Sequence, residues 1–279
     1  MTTSPVEFHV YDTTLRDGAQ REGIGYFVAD KLAVTALLDE LGVGFIEGGW
    51  PGALPSDTEF FARAADELTL KHATLVAFGA TRKAGVPVED DPQVAALRDS
   101  RAPAWCLVAK SDSRHVERAL RTTPAENLAM VADTVSYGVE LGKRVFCDCE
   151  HFFDGFRADP DYATEVVRTA FDAGADVVVL CDTNGGMLPS DIAAVIGELR
   201  DRLGGEPRLG IHCQDDTACA VANTITAVEA GVMHVQGTAN GYGERPGNAD
   251  LFAVIGNLEC KRGMTVLPSG GLEKLTRTS

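Results

Sequence analysis

Eight short apolar runs, each followed by a longer stretch of helical periodicity, constrain the fold of this 279-residue chain more than any other feature. They fall at 6–12, 44–48, 73–79, 104–109, 143–149, 176–182, 209–214 and 232–237. Most are continuous in Val, Ile, Leu and Phe rather than alternating with polar residues. A strand reads that way when both of its faces are covered, as in a parallel sheet. Between the runs stand helical signals. The stretch 29–40 carries Leu32, Ala33, Ala36 and Leu37 on one predicted face, and Ser56-Asp-Thr-Glu59 has the spacing of a capping box. Thr123-Pro-Ala-Glu126 sets Pro at the first helical position behind a Thr cap. Further starts lie at Asp159-Pro-Asp-Tyr162, at Pro189 and near Thr217, and 250–260 closes the series. Eight strand–helix pairs in this length predict an α/β chain folded as a (β/α)8 TIM barrel over 1–264. The remaining 265–279 reads as a loosely organised tail, either the start of a further subdomain or the natural end. A doubly wound sheet would show a glycine-rich phosphate loop after its first strand. Arg16-Asp-Gly18 stands there instead.

Charge removes two classes of partner. Lys and Arg number 25 against 41 Asp and Glu, a formal net charge of −16. Nucleic-acid binding needs a basic footprint that displaces counterions, and no Lys/Arg-rich run is present. The same balance argues against an anionic membrane surface, and no apolar run reaches the roughly 18 residues of a membrane span. Seven cysteines with no CxxC pair, behind a polar N-terminus, predict free thiols in a reducing cytoplasm. Their spacing fits no zinc module, so they read as small buried apolar side chains.

In a barrel of this kind the active site is built where the strands end at their C-termini. Those ends are unusually polar here. Strand 1 runs into Thr13-Thr-Leu-Arg-Asp-Gly-Ala-Gln20 and strand 5 into Asp148-Cys-Glu-His151. Strand 6 runs into Cys181-Asp-Thr-Asn-Gly185, strand 7 into His212-Cys-Gln-Asp-Asp216, and strand 8 into the segment from Gly237 to Asn248. His212 and Gln214, two apart on a strand, point the same way. With Asp17 and the carbonyl of Asn240 they offer a mixed oxygen and nitrogen shell for a divalent cation. Arg16, beside Asp17, suits the stabilisation of an enolate or alkoxide oxygen. Thr183 and backbone amides near Asn184 suit a substrate carboxylate. Glu150 is a candidate acid/base, and Asp148 shares its inward face. The glycines of 241–247 permit close backbone approach to a ligand, although a tight turn explains them equally. A hydrogen-bonded structural His and solvated ion pairs are the plainer alternatives for His212, Arg16 and Glu150.

These motifs resemble those of the isopropylmalate, homocitrate and citramalate synthases along the length of the chain. Leu15-Arg-Asp-Gly-Ala-Gln20, with Lys31 after ten further residues, looks like their first signature. Ile46-Glu-Gly-Gly-Trp-Pro-Gly52, Glu150-His-Phe-Phe-Asp-Gly155, Leu180-Cys-Asp-Thr-Asn-Gly-Gly186 and Gln236-Gly-Thr-Ala-Asn-Gly-Tyr-Gly-Glu-Arg245 are most similar to the citramalate branch. The resemblance implies a metal-dependent Claisen-type condensation. An acyl-CoA methyl group is deprotonated and attacks the ketone of a 2-oxo acid, and the thioester is then hydrolysed. It implies Asp17, His212 and Asn240 as ligands to Mg, Mn or Zn, to which the strand-end reading adds Gln214, and Arg16 as the group polarising the ketone. Thr183 then holds the 2-oxo acid carboxylate and Glu150 faces the acyl methyl. Gln20, Asp148, Gly243 and Arg245 are the further substrate contacts, and a homodimer is the family-like expectation.

Three departures qualify that reading. His212-Cys-Gln214 replaces the family's His-x-His, exchanging an imidazole for a harder amide oxygen. Asp215-Asp216-Thr-Ala218 replaces Asn-Asp-x-Gly, an extra carboxylate able to compensate in charge or as a ligand. The helical subdomains of the synthases lie beyond this length. The expected function is therefore an acyltransferase joining an acyl-CoA to a 2-oxo acid. A metal-dependent C–C lyase or aldolase of the hydroxymethylglutaryl-CoA lyase type and a catalytically silent binding barrel are the alternatives.

Overall fold

A computed structural model describes residues 8–205 and 207–279. Residues 6 and 7 of the first expected strand lie outside that set. Eight parallel strands close on themselves in sequence order: β1 His9–Asp12, β2 Phe45–Gly49, β3 Thr74–Ala80, β4 Ala104–Lys110, β5 Arg144–Glu150, β6 Val177–Asp182, β7 Leu209–Cys213 and β8 His234–Gly237. β8 pairs with β1 and seals the barrel. The expected (β/α)8 fold is the observed one.

The continuous apolar runs have the predicted cause, since each strand buries both faces. On β4, Trp105, Leu107 and Ala109 pack outward against the helices, while Ala104 and Cys106 face the barrel interior. On β5, Val145, Cys147 and Cys149 face out and Phe146 faces in. The period of two then carries Asp148 and Glu150 inward, toward the strand ends. Five of the seven cysteines are buried, Cys219 is half-buried and Cys260 is exposed, and all are free.

An aromatic plug fills the opposite end of the barrel. The His9 ring lies 4.8 Å from Phe45, and Phe45 lies 5.0 Å from Phe146. His9 Nδ1 sits 3.3 Å from His234 Nδ1. Arg144 Nη2 and Arg208 Nη2 both approach His9 Nε2, at 2.9 and 2.6 Å. Burial, then Arg208 and Arg144, push the His9 pKa down to about 3.

Several local expectations change. The first helix, Val28–Leu41, buries Lys31, Leu32, Thr35 and Leu38, whereas Leu37 is exposed. Lys31 is drawn inward by Asp57, at 2.5 Å, and by the carbonyl of Gly48, at 3.0 Å. Ser56-Asp-Thr-Glu59 forms no capping box, because Pro55 opens that helix and Leu54 is its cap. Thr123 caps as expected, accepting from the amide of Glu126, and Asp159 caps the helix expected to start there, accepting from the amide of Tyr162. The segment expected near Thr217 starts at Ala220. The tail is ordered: Leu267 is buried and helix Gly271–Thr278 packs beside the first helix. Among the described residues no helix is long and apolar enough to cross a membrane.

Candidate active site

A cavity of about 740 Å³ opens at the C-terminal ends of the strands. Arg16, Asp17, Gln20, Asp148, Glu150 and Thr183 line it, as do His212, Gln214 and Arg245. Nine of the eleven residues singled out from sequence therefore meet in one space. The exceptions are Asn240 and Gly243.

At the floor four polar side chains converge. Asp17 Oδ2 lies 3.4 Å from His212 Nε2, 3.0 Å from the Gln214 amide nitrogen and 2.5 Å from that of Asn248. The Asn248 amide nitrogen is also 3.2 Å from His212 Nε2. All four residues are buried. The amide oxygens of Gln214 and Asn248 are buried without a hydrogen-bond partner among the described residues. Leaving such a group unpaired costs about 1–3 kcal/mol. Turning each carboxamide half a revolution exchanges oxygen for nitrogen and brings both oxygens toward Asp17 and His212. The set then becomes one carboxylate, two amide oxygens and one imidazole. Octahedral coordination at ~2.1 Å places adjacent ligands about 3 Å apart, which is the spacing found here. These residues fit a divalent cation.

Asn240 is not part of the set. It is exposed, has a left-handed backbone (φ 59°), and its side-chain oxygen accepts from the Ser279 hydroxyl at 2.8 Å. Asn248 takes the place expected for it. Two glycines present Asn248. A Cβ at Gly243 would sit 1.9 Å from Asn248 Oδ1, and one at Gly247 would sit 1.9 Å from the carbonyl oxygen of Gly241. Gly247 also has φ +120°, a conformation side chains disfavour. Gly243 thus makes room for a ligand rather than lining the cavity. The sequence did hold the signal, an Asn directly after the glycine-rich loop, but left two asparagines to choose between.

The additional carboxylates after β7 do not reach the four. Asp215 accepts from the amide of Ala220 at 2.8 Å, capping the next helix. Asp216 pairs with Arg245 at 2.7 and 2.9 Å. Arg245 also donates to the Thr183 carbonyl at 2.9 Å, tying the loops after β6, β7 and β8 together.

Electrostatics fix the protonation of the floor. Burial opposes charge on Asp17, but Arg16 and His212 hold its carboxyl well below the usual range. His212 Nδ1 lies 2.8 Å from the Gln236 side-chain oxygen, and Gln236 in turn donates to Asp148 at 2.9 Å. That chain assigns a proton to Nδ1; burial opposes charge on the ring, but the Asp17 carboxylate facing Nε2 raises the His212 pKa, and a cation held here would take the Nε2 lone pair instead. Burial and the Glu47 carboxylate push Asp148 upward.

Arg16 is held on three sides. Its Nη1 bonds Asp17 at 2.5 Å, its Nε bonds Glu47, and its guanidinium carbon lies 3.8 Å from the Phe78 ring centre. Glu47, fully buried, also accepts from the hydroxyls of Tyr11 and Thr13 at 2.5 and 2.6 Å. Glu47, Phe78 and Gln236 were not singled out from sequence, since each reads as ordinary strand interior. Thr183 Oγ1 accepts from the His151 amide at 2.8 Å, so its own proton is available to a ligand. Glu150 is in ion-pair contact with Lys110.

Curated relatives carry related names. An (R)-citramalate synthase of Streptomyces coelicolor is 67% identical over 98% of this chain and 51% of its own length. One of Synechocystis is 47% identical over 100% of this chain and 52% of its own. The chain thus spans about half the length of these relatives. Among solved structures, the HMG-CoA lyase of Bacillus subtilis superposes with a TM-score of 0.81 at 19% identity, covering 98% of this chain and 92% of that one, a likeness of fold. The sequence matches the HMGL-like family over residues 7–279, and the chain belongs to that family.

Proposed function

We propose that this barrel binds a 2-oxo acid at a divalent cation and joins it to an acyl-CoA, with pyruvate and acetyl-CoA as the substrates and citramalate as the product. The observation that carries the reading is the set Asp17, His212, Gln214 and Asn248, whose two buried amide oxygens have no hydrogen-bond partner among the described residues, beside the Arg16 guanidinium. The names of the curated relatives support it. The lyases, at 19% identity, share the fold and carry no argument for cleavage.

A divalent ion held there supplies Lewis-acid polarisation of the ketone and of the oxo acid's carboxylate. Two amide oxygens and a carboxylate favour a hard ion, Mg²⁺ or Mn²⁺. Arg16, preset by Glu47, Asp17 and Phe78, meets the negative charge that develops on the ketone oxygen. Its rigidity matters because preorganised donors cost no reorganisation at the moment of reaction. The Thr183 hydroxyl, whose lone pair is engaged by the His151 amide, donates to the oxo acid carboxylate. Glu150, at the end of β5 and on the cavity wall, accepts the proton of the acyl methyl group. Gln20 and Arg245 line the same cavity, Gln20 as a neutral hydrogen-bonding group and Arg245 as positive charge that a net negative protein needs there to admit anionic substrates.

The test is thiol release from acetyl-CoA with a panel of 2-oxo acids, with and without Mg²⁺ or Mn²⁺. Metal-dependent release that is greatest with pyruvate supports the reading. Absence of release, together with cleavage of a hydroxy acid, overturns it in favour of a lyase.

A further inference from the structure

An ion pair lines the cavity one layer further out than the floor. Lys110 ends β4, Glu150 ends β5, and the two are register partners. Cys106, Val108 and Lys110 alternate inward on β4, as Phe146, Asp148 and Glu150 do on β5. The Lys110–Glu150 pair therefore stacks directly above Asp148 and Val108. Its side chains are only 22% and 27% exposed. The strand ends that carry it are clamped. The Glu150 carbonyl accepts from the Ser111 hydroxyl at 2.8 Å, and the Lys110 carbonyl from Asn127 at 2.9 Å. Asn127 is itself fixed to the Tyr162 hydroxyl at 2.8 Å.

We propose that Lys110 is a positioning residue for Glu150, its ammonium holding that carboxylate ionised and aimed into the cavity. The role of Glu150 rests on the condensation reading above; its pairing with Lys110 does not. A carboxylate in a partly dry site above Asp148 takes up a proton closer to neutrality unless a cation faces it. Other charged and titratable groups surround the pair. They are Asp148 below it, His151 next in the chain, on which His115, Asp112 and Asp154 act with the His115 ring 4.3 Å away, and Arg16, Arg82, Lys83, Glu244 and Arg245 around the same cavity. The His151 ring is pushed down to about 4 by burial, then by His115 and Lys110, so it carries no charge at working pH. Lys110 is the cation in contact with Glu150. An ammonium has three donors and Glu150 engages one, which leaves donors toward the cavity.

The test compares wild type with Lys110→Met, Lys110→Gln and Lys110→Arg. Carbon-13 labelling of glutamate carboxyls, assigned with Glu150→Gln, reads the titration of Glu150 directly in the full chain. The Met and Gln variants are expected to raise its midpoint by about one pH unit or more, and Arg to preserve it. The acid limb of kcat/KM for thiol release is expected to move with it, while metal affinity stays at the wild-type value. A Glu150 midpoint unchanged in both neutral variants overturns the proposal, and so does an acid limb of kcat/KM that stays in place while the midpoint moves, because a purely structural pair shifts stability and titration together and leaves the rate profile alone. A shifted midpoint in a protein whose wild type releases no thiol supports the Lys110 assignment and refutes the condensation reading.

Discussion

Gly243→Ala is the sharpest steric probe of the candidate metal site. Gly243 is not in the left-handed region, so the backbone tolerates alanine and the effect is one of space alone. The new Cβ would lie 1.9 Å from Asn248 Oδ1, 3.0 Å from its Cγ and 3.2 Å from its backbone nitrogen. Ordinary contact needs roughly 3.4 Å or more, so the end of the carboxamide facing Gly243, its nitrogen once the group is turned to present oxygen to a cation, must retreat by about 1.5 Å and carry the ligating oxygen with it. A ~2.1 Å coordination bond does not survive that displacement. Disturbing one ligand or its support lowers metal affinity by about 10- to 100-fold, equivalent to about 1.4–2.8 kcal/mol. Overpacking adds about 1–3 kcal/mol of lost stability. Calorimetric titration with Mn²⁺ measures the first quantity and urea unfolding the second. Asn248→Ala should match the affinity loss. The double variant should lose no more than either single one, since the methyl then has nothing to displace. Wild-type Mn²⁺ affinity in Gly243→Ala would refute the argument that places Asn248 in the ligand set.

Two further outcomes follow from particular contacts. Asn240→Ala should leave Mn²⁺ affinity unchanged, because its side chain bonds Ser279 outside the cavity; a tenfold loss in the same titration would return Asn240 to the ligand set. Acid should weaken the fold through the plug at the closed end of the barrel. His9 titrates at about 3 in the folded chain against 6.5 unfolded, and His234 is also pushed well down by burial. The unfolded chain therefore binds more protons between those values, and stability falls as pH drops below 6.5, by about 1.4 kcal/mol per pH unit for each ring. The double variant His9→Phe, His234→Phe should unfold in urea with a shallower dependence on pH between 6.5 and 4; an identical slope contradicts this origin.

The sequence held the barrel in its most redundant signal. Eight runs covered on two faces admit few other arrangements, and the polar strand ends had to share a rim once the sheet closed. Choices that depend on a single partner far along the chain were not legible. Leu37 looked like core until Asp57, in the next helix, drew Lys31 inward and turned that face. Asn240 and Asn248 are alike in sequence. Only the left-handed turn at Asn240 and the missing Cβ of Gly243 decide which one faces Asp17. Glu47 and Phe78 were hidden because a buried carboxylate or ring on a strand has no local signature. Their meaning appears when Arg16 arrives from the loop after β1. The extra carboxylate after β7 read as able to compensate in charge or as a ligand, but the Ala220 amide claims Asp215 and the Arg245 guanidinium claims Asp216.

On the reading proposed above, Asp17, His212, Gln214 and Asn248 form a cation site at which a 2-oxo acid binds. Calorimetric titration of pyruvate into the protein tests it most directly, first with saturating Mg²⁺ or Mn²⁺ and then after chelation, in wild type and in Asp17→Asn. Wild type is expected to bind pyruvate with metal present, and no binding is expected after chelation or in Asp17→Asn. Equal binding with and without the metal, or undiminished metal affinity in Asp17→Asn, would contradict it.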